Sequence, residues 1–119
     1  MATASDRRFG DDGAFRRTAA GILQGLIDEI DEIDADLDPR LTPGNLQVLF
    51  EDDGSVFVLS QQTPTHELWL SANLTAWHFF HDGQRWVERD SGEDMLALLG
   101  RLFSDKVGHP VDFSSVSEG

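Results

Sequence analysis

From Leu46 to Glu88 the apolar residues recur with a period of two, and only short turn signals interrupt them. Leu46, Val48 and Phe50 alternate with Gln47, Leu49 and Glu51, until Asp52-Asp53-Gly54 breaks the run. Val56, Val58 and Ser60 alternate with Phe57, Leu59 and Gln61, as far as Thr63-Pro64-Thr65. Further runs cover Glu67 to Ser71, Ala76 to His81 and, after Asp82-Gly83, Gln84 to Glu88. Runs of this period are strands with one face to bury. Connections this short leave no room for a parallel crossover, so successive strands pair antiparallel. Pro39, Pro43 and Gly44 punctuate the approach, and Leu37 to Leu41 can add one short strand before it.

A half-apolar sheet needs a cover, and both flanks supply one. Phe15, Ala19, Ile22, Leu23, Leu26, Ile27, Ile30 and Ile33 follow helical spacing and form one stripe. That helix is expected to end near Ile33, because Asp34 would rotate onto the apolar face. Gly21 and Gly25 fall on its exposed side. A second helix is expected from Ser91, where Ser91-Gly92-Glu93-Asp94 fits a capping box. Met95, Leu96, Leu99, Leu102, Phe103 and Val107 give its apolar face, with Gly108 and Pro110 beyond its end. Val111 and Phe113 are expected to tuck against the helices. The fold class is therefore α+β: two terminal helices packed on one face of an antiparallel sheet of five to six strands, with the other face open. The 119 residues make one domain, with an ordered core over about 14–113 and a polar start up to about residue 11.

Composition narrows the function. Hydrophobic residues are 39% and aromatics 9%, enough for a packed core. The net charge of −13 argues against nucleic acid and against an anionic membrane surface. It favours cations or basic protein patches, with solubility as the plain alternative. Without cysteine there is no disulfide, thiolate nucleophile or thiolate metal ligand. The N-terminus lacks the apolar stretch of a secretory signal and no run is long enough to span a membrane, so a cytoplasmic location is the expectation.

The acid concentrates in Asp28-Glu29-Ile30-Asp31-Glu32-Ile33-Asp34-Ala35-Asp36-Leu37-Asp38. Helical geometry puts Asp28 opposite the apolar stripe, Asp31 and Glu32 beside it, and Glu29 on the flank. Like charges three and four residues apart cost a few tenths of a kcal/mol per pair, which mere solubility does not require. Carboxylates suit hard cations, but ligands spread along an exposed face do not wrap an ion. Weak, promiscuous cation binding, docking on a basic partner and a simply solvated face all stay open on these residues.

A second constellation is Gln61-Gln62-Thr63-Pro64 with Glu67-Leu68-Trp69-Leu70-Ser71. Leu68 and Leu70 share one strand face, and Glu67, Trp69 and Ser71 the other. With the leucines under the helices, Trp69 points out from the open face, where an exposed tryptophan beside amides suits binding. The histidines show no zinc spacing, and His78 and His81 lie on opposite faces of their strand. His78 reads as a satisfied or exposed ring, with a single ligand at a sheet edge as the lesser alternative. Neither a nucleophile elbow nor a phosphate loop is present, and no paired Glu-x-x-His motif supports a di-iron ferroxidase.

In this order the motifs resemble the frataxin family, in its bacterial CyaY branch. The likeness rests on the acidic first helix from Leu26 to Asp36 and on Gln62-Thr63-Pro64 followed by Trp69-Leu70. It also rests on Trp77-His78-Phe79, on Arg89-Asp90-Ser91-Gly92-Glu93 opening a helix with Leu98-Leu99, and on Val111-Asp112-Phe113. It covers residues 14 to 113. Ser60 stands where many members carry Asn. The resemblance implies a frataxin-like α–β–α sandwich and an iron-binding regulator of iron–sulfur cluster assembly, not an enzyme. It implies weak surface binding of ferrous or ferric iron by Asp28, Glu29, Asp31, Glu32, Asp34, Asp36 and Asp38. The implied partners are a cysteine desulfurase and an iron–sulfur scaffold protein, met by the acidic ridge and by Gln62 and Trp69. A monomer is expected, with iron-dependent assembly left open. The rival reading is an acidic adaptor or nucleic-acid mimic that binds no specific metal.

Overall fold

In the computed structural model, which describes residues 9–117, the first helix is α1 (Asp12–Ile30). Asp11 caps it, its side chain accepting from the Ala14 N–H at 2.7 Å. Six strands follow: β1 (Leu37–Thr42), β2 (Asn45–Phe50), β3 (Ser55–Gln62), β4 (Glu67–Ala72), β5 (Thr75–His81) and β6 (Trp86–Glu88). They lie in one sheet in sequence order, every neighbouring pair antiparallel. The last helix is α2 (Met95–Val107). Both helices cover the same sheet face, in the α–β–α chain order that the sequence implied.

In β2, β3 and β4 burial alternates along the strand, whereas Trp86, Val87 and Glu88 of β6 are all buried. Leu46, Val48 and Phe50, then Phe57 and Leu59, then Leu68 and Leu70 point under the helices. They meet Phe15, Ala19, Ile22, Leu23, Leu26 and Ile30 of α1 and Met95, Leu98, Leu99, Leu102 and Phe103 of α2. One aromatic cluster, Phe50, Phe57, Phe103 and Phe113, closes the end of the core near the C-terminal segment. Another, Phe9, Phe15, His66, His81 and Trp86, closes the opposite end.

Several boundaries differ from expectation, each for a physical reason. Helix α1 stops at Ile30, not Ile33. The Glu32 and Ile33 amides donate to carbonyls three residues back, Glu29 and Ile30, so the last turn tightens. Ile33 still packs against the core from that turn. Helix α2 starts at Met95, capped by Asp94, whose carboxylate accepts from the Ala97 N–H at 3.0 Å. Ser91 caps only a local turn, accepting from the Glu93 N–H, because Gly92 has a left-handed φ of 76° that no helix continues through. Gly108 ends α2 at φ 80°, as its sequence position suggested.

Gly25 is not on a free surface. A Cβ there would come within 2.9 Å of Val116 Cγ1, so the glycine makes room for the C-terminal segment on α1. Phe9, inside the stretch read as a polar start, packs on the core. Residues 1–8 lie outside the described residues, but Phe9 already stacks at 6.0 Å on Trp86.

The β4–β5 hairpin has an unusual tip. Asn73 and Leu74 both have positive φ, 52° and 62°, as a primed turn requires. Leucine in this conformation is strained, and Leu74 is wholly exposed at 106%. Leu74→Gly is expected to stabilise the fold by about 1 kcal/mol, read as a rise of several degrees in the thermal midpoint. An unchanged or lower midpoint would contradict the strain argument.

Candidate functional site

Two surfaces carry the candidate residues. The first is the acidic ridge. Asp28 and Glu29 lie in the last turn of α1, and Asp31, Glu32, Asp34 and Asp36 follow in the turns that lead into β1. Asp28, Asp31, Glu32, Asp34 and Asp36 are exposed, and Glu29 is half-buried. The last turn of α1 holds no basic residue. Carboxylates there run against the helix macrodipole, at a cost of about 0.3–1 kcal/mol each. Among the described residues, no Lys, Arg or His side chain comes within ion-pair distance of these six carboxylates. Among the described residues, Asp28 is met only by the Gln24 amide at 3.0 Å. The ridge is thus negative charge that the described residues leave uncompensated.

Asp38 differs from the other six in having a basic partner. It lies on β1, and Arg40, two residues along the same strand face, donates to it from Nη2 at 3.0 Å and Nε at 3.3 Å. Its charge is answered within the sheet. What joins the far end of the ridge instead is the β2–β3 turn. Pairing of Leu37 with Phe50, and of the Glu51 N–H with the Asp36 carbonyl, brings Asp52 and Asp53 to a cleft shared with Asp34 and Asp36. Lys106 enters the cleft from α2, donating to Asp53 at 2.6 Å. Lys106 and the Ser55 N–H and hydroxyl hold the Asp53 carboxyl well below its usual range. In the sequence Asp52-Asp53 reads only as a turn; the β1–β2 register, which no local spacing encodes, brings it to the cleft.

Along its side the ridge meets the C-terminal segment. Glu29, Glu32 and Asp34 share a groove with His109 and Asp112, and His109 Nε2 lies 3.2 Å from the Asp34 carbonyl oxygen. Two hydrogen bonds from Ser114 hold the Asp112 carboxyl below its usual range. Among the described residues, no group of three or more His, Asp and Glu side chains is gathered as a metal cage. The ridge offers a row of separate hard oxygen donors, which suits weak, exchangeable cation contact rather than a closed site.

The second surface is the open sheet face. Trp69 points outward, 37% exposed, directly across from Ser60 on β3 and His78 on β5. Its ring meets the His78 ring edge-on at 4.6 Å. Gln62 pairs with Glu67 across the strands and is half-buried, its amide donating to the Ser60 hydroxyl at 3.2 Å. The Ser60 hydroxyl thus orients Gln62. Val56 is exposed further along the same face. With strands about 4.8 Å apart, β1 and β4 lie roughly 14 Å from one another. A single partner surface can span the ridge, the β1 edge and Trp69.

Sequence reasoning missed the residues that hold Trp69. Glu67 is only 2% exposed although it points to the open face. Its Oε1 accepts from the Trp69 indole N–H at 2.8 Å, and its Oε2 from Arg89 Nη1 at 3.3 Å. Arg89 Nη2 lies 3.3 Å from His78 Nδ1. Period two could have joined Glu67 to Trp69, but only the β4–β5–β6 register brings His78 and Arg89 in.

Beneath this cluster Glu88 braces the loop before α2. It is buried, which pushes its carboxyl up. The backbone N–H groups of Ser91, His78 and Asp90 donate to it, outweigh the burial and leave it below its ordinary 4.5. A carboxyl depressed on folding stabilises the fold above its unfolded value and loses that contribution as pH falls through the folded value. Glu88→Gln is therefore expected to flatten the fall of thermal stability between pH 5 and roughly pH 3. An unchanged slope in matched melts would contradict the assignment.

No helix among the described residues is long and apolar enough to cross a membrane. Residues 9–109 match the frataxin-like domain family. An iron–sulfur cluster assembly protein CyaY from Variovorax paradoxus is 33% identical over 96 residues, covering 81% of this chain and 86% of that protein. Its counterpart in Azotobacter vinelandii is 34% identical over 101 residues, covering 83% and 91%. The solved structure of a frataxin from Psychromonas ingrahamii superposes with a TM-score of 0.80 at 25% identity, over 87% of this chain and 97% of that one.

Proposed function

This chain belongs to the frataxin-like family, and on that premise we propose that it is an iron-binding regulator of iron–sulfur cluster assembly. The relatives in Variovorax and Azotobacter carry that assembly role in their names. The observation that carries the docking half of the reading is the uncompensated ridge. Six carboxylates from Asp28 to Asp36 face outward with no basic side chain among the described residues to answer them, at a helix end that disfavours negative charge. A basic partner surface relieves both penalties at once. The partner in this reading is a cysteine desulfurase together with its scaffold protein. Trp69 and Gln62 add a neutral contact on the open face.

Ferrous iron is cargo or signal here, not a resident cofactor. Bound along Asp28, Glu29, Asp31, Glu32, Asp34 and Asp36, it lowers the charge of the ridge and so changes docking strength. Asp38 contributes least, because Arg40 already occupies it. The chain acts by binding and contributes no catalytic residue of its own.

An anaerobic ferrous-iron titration followed by backbone NMR tests the metal half. Line broadening concentrated in residues 28–36, weaker at Asp38, is the expected result. Absent or uniform broadening would leave an acidic adaptor without specific metal binding. The two readings also part on Trp69→Ala. A frataxin-like docking surface loses affinity for its desulfurase; a purely electrostatic adaptor does not.

A further inference from the structure

Trp69 is exposed, yet its one polar group is already used. The indole N–H donates inward to Glu67 Oε1 at 2.8 Å, so it is not offered to a partner. Glu67 is a carboxylate held 2% exposed on a face that otherwise meets solvent. A lone charge so placed would be costly, and Arg89 answers it from above at 3.3 Å. The guanidinium then reaches His78 Nδ1 at 3.3 Å, and His78 closes the circuit by its edge-on contact with the Trp69 ring. Four side chains from β4, β5 and the loop after β6 therefore fix one another. Residues 68–80 contain no Asp, Glu, Lys or Arg, and the Glu67–Arg89 pair is neutral as a unit. In a chain of net charge −13 this is a locally uncharged patch.

Resting on the docking reading above, we propose that Glu67 and Arg89 are positioning residues that determine what Trp69 can recognise. Glu67 consumes the indole N–H and holds the ring at a fixed tilt; Arg89 cancels the charge of Glu67 and reaches His78, whose ring meets the indole edge-on. The surface that results accepts an apolar side chain of the partner. It does not select a hydrogen-bond acceptor, because no donor is left on the ring. It does not select a cation, because the charge of Glu67 is already paired with the Arg89 guanidinium. The ridge and the tryptophan thus divide the labour: charge complementarity on one, apolar shape on the other.

The test uses the full chain with purified desulfurase and scaffold. Trp69→Phe removes the N–H and keeps an aromatic ring, and it also assigns the Trp69 indole signal among the three tryptophans. Binding by Trp69→Phe is expected within about threefold of the parent, against a loss of at least about tenfold for Trp69→Ala. Equal loss in both would overturn the proposal, because it would mean that the partner uses the N–H. Solvent exchange of the indole proton reads the positioning independently of any partner. It is expected to rise at least severalfold in Glu67→Ala and to stay near the parent in Glu67→Gln, which keeps an acceptor. Unchanged exchange in Glu67→Ala would overturn the assigned role of Glu67. Arg89→Ala is expected to weaken binding severalfold with the ridge intact, and parent-like binding would overturn the role of Arg89. Full binding by Trp69→Ala would sink the docking reading and the partner-facing half of this proposal together. Indole exchange would still decide whether Glu67 holds the ring.

Discussion

Reversing Asp31 and Glu32 together to lysine is expected to weaken desulfurase binding by at least about tenfold at low ionic strength, mostly through slower association. Both side chains are exposed and neither has a basic partner among the described residues, so the substitutions break no internal ion pair. They follow α1 at its C-terminal end, where lysine suits the macrodipole better than a carboxylate. The variant should therefore be as stable as the parent, or slightly more so. This pairing of effects is diagnostic, since lost binding with retained stability points to a surface kept acidic for a partner. The deficit should shrink as salt rises, because the Debye length falls from about 10 Å at 0.1 M to about 3 Å at 1 M. Unaltered affinity at low salt would remove the ridge from the docking surface.

The largest expected effect on stability lies at the other end of the chain. Phe113 is 1% exposed and packs edge-on against Phe103 at 5.2 Å, completing the cluster with Phe50 and Phe57. The segment that carries it is seated in detail. Ser104 Oγ accepts from the Val111 N–H at 2.8 Å and lies 3.3 Å from the Val111 carbonyl oxygen. That carbonyl lies over Gly100, where a Cβ would come to 3.1 Å, and Val116 fills the space left by Gly25. Phe113→Ala should cost about 3–4 kcal/mol. That is a large share of the roughly 5–15 kcal/mol that holds a domain folded. Chemical denaturation should show it as a lower midpoint at unchanged slope. A loss below about 1 kcal/mol would mean that the segment is an appendage and not part of the core. Because His109 and Asp112 border the groove with Glu29 and Glu32, loosening this segment should also broaden the NMR signals of the ridge.

Much of this fold is legible in local pattern. Period two follows the buried side of β2, β3 and β4, though not of β6, which is buried throughout, and the short turns left only a meander. Ile33 misled the end of α1, because a residue can reach the core from a turn as well as from a helix. Ser91 misled the start of α2, because a capping box says nothing of the φ that Gly92 adopts. Gly25 had no local explanation; its reason is Val116, which only the folded chain brings to it. The candidate site divides in the same way. Asp28 to Asp36 form a run that can be read directly, and Trp69 follows from strand alternation. Asp38 is set apart from the others by its contact with Arg40 two residues away, once a strand places both on one face. Asp53 joins the cleft, and Arg89 reaches Glu67, only through register and loop path. No spacing rule in the sequence encodes those two.

The claim at the centre is that the ridge and the Trp69 face act as two parts of one docking surface. Mapping backbone and indole NMR signals of the isotope-labelled protein during titration with unlabelled desulfurase and scaffold tests it most directly. The expected result is change at residues 28–36, along β1, and at Ser60, Gln62, Trp69 and His78, with the solvent side of α2 unaffected. Change confined to α2, or to the ridge with the sheet face silent, would contradict it.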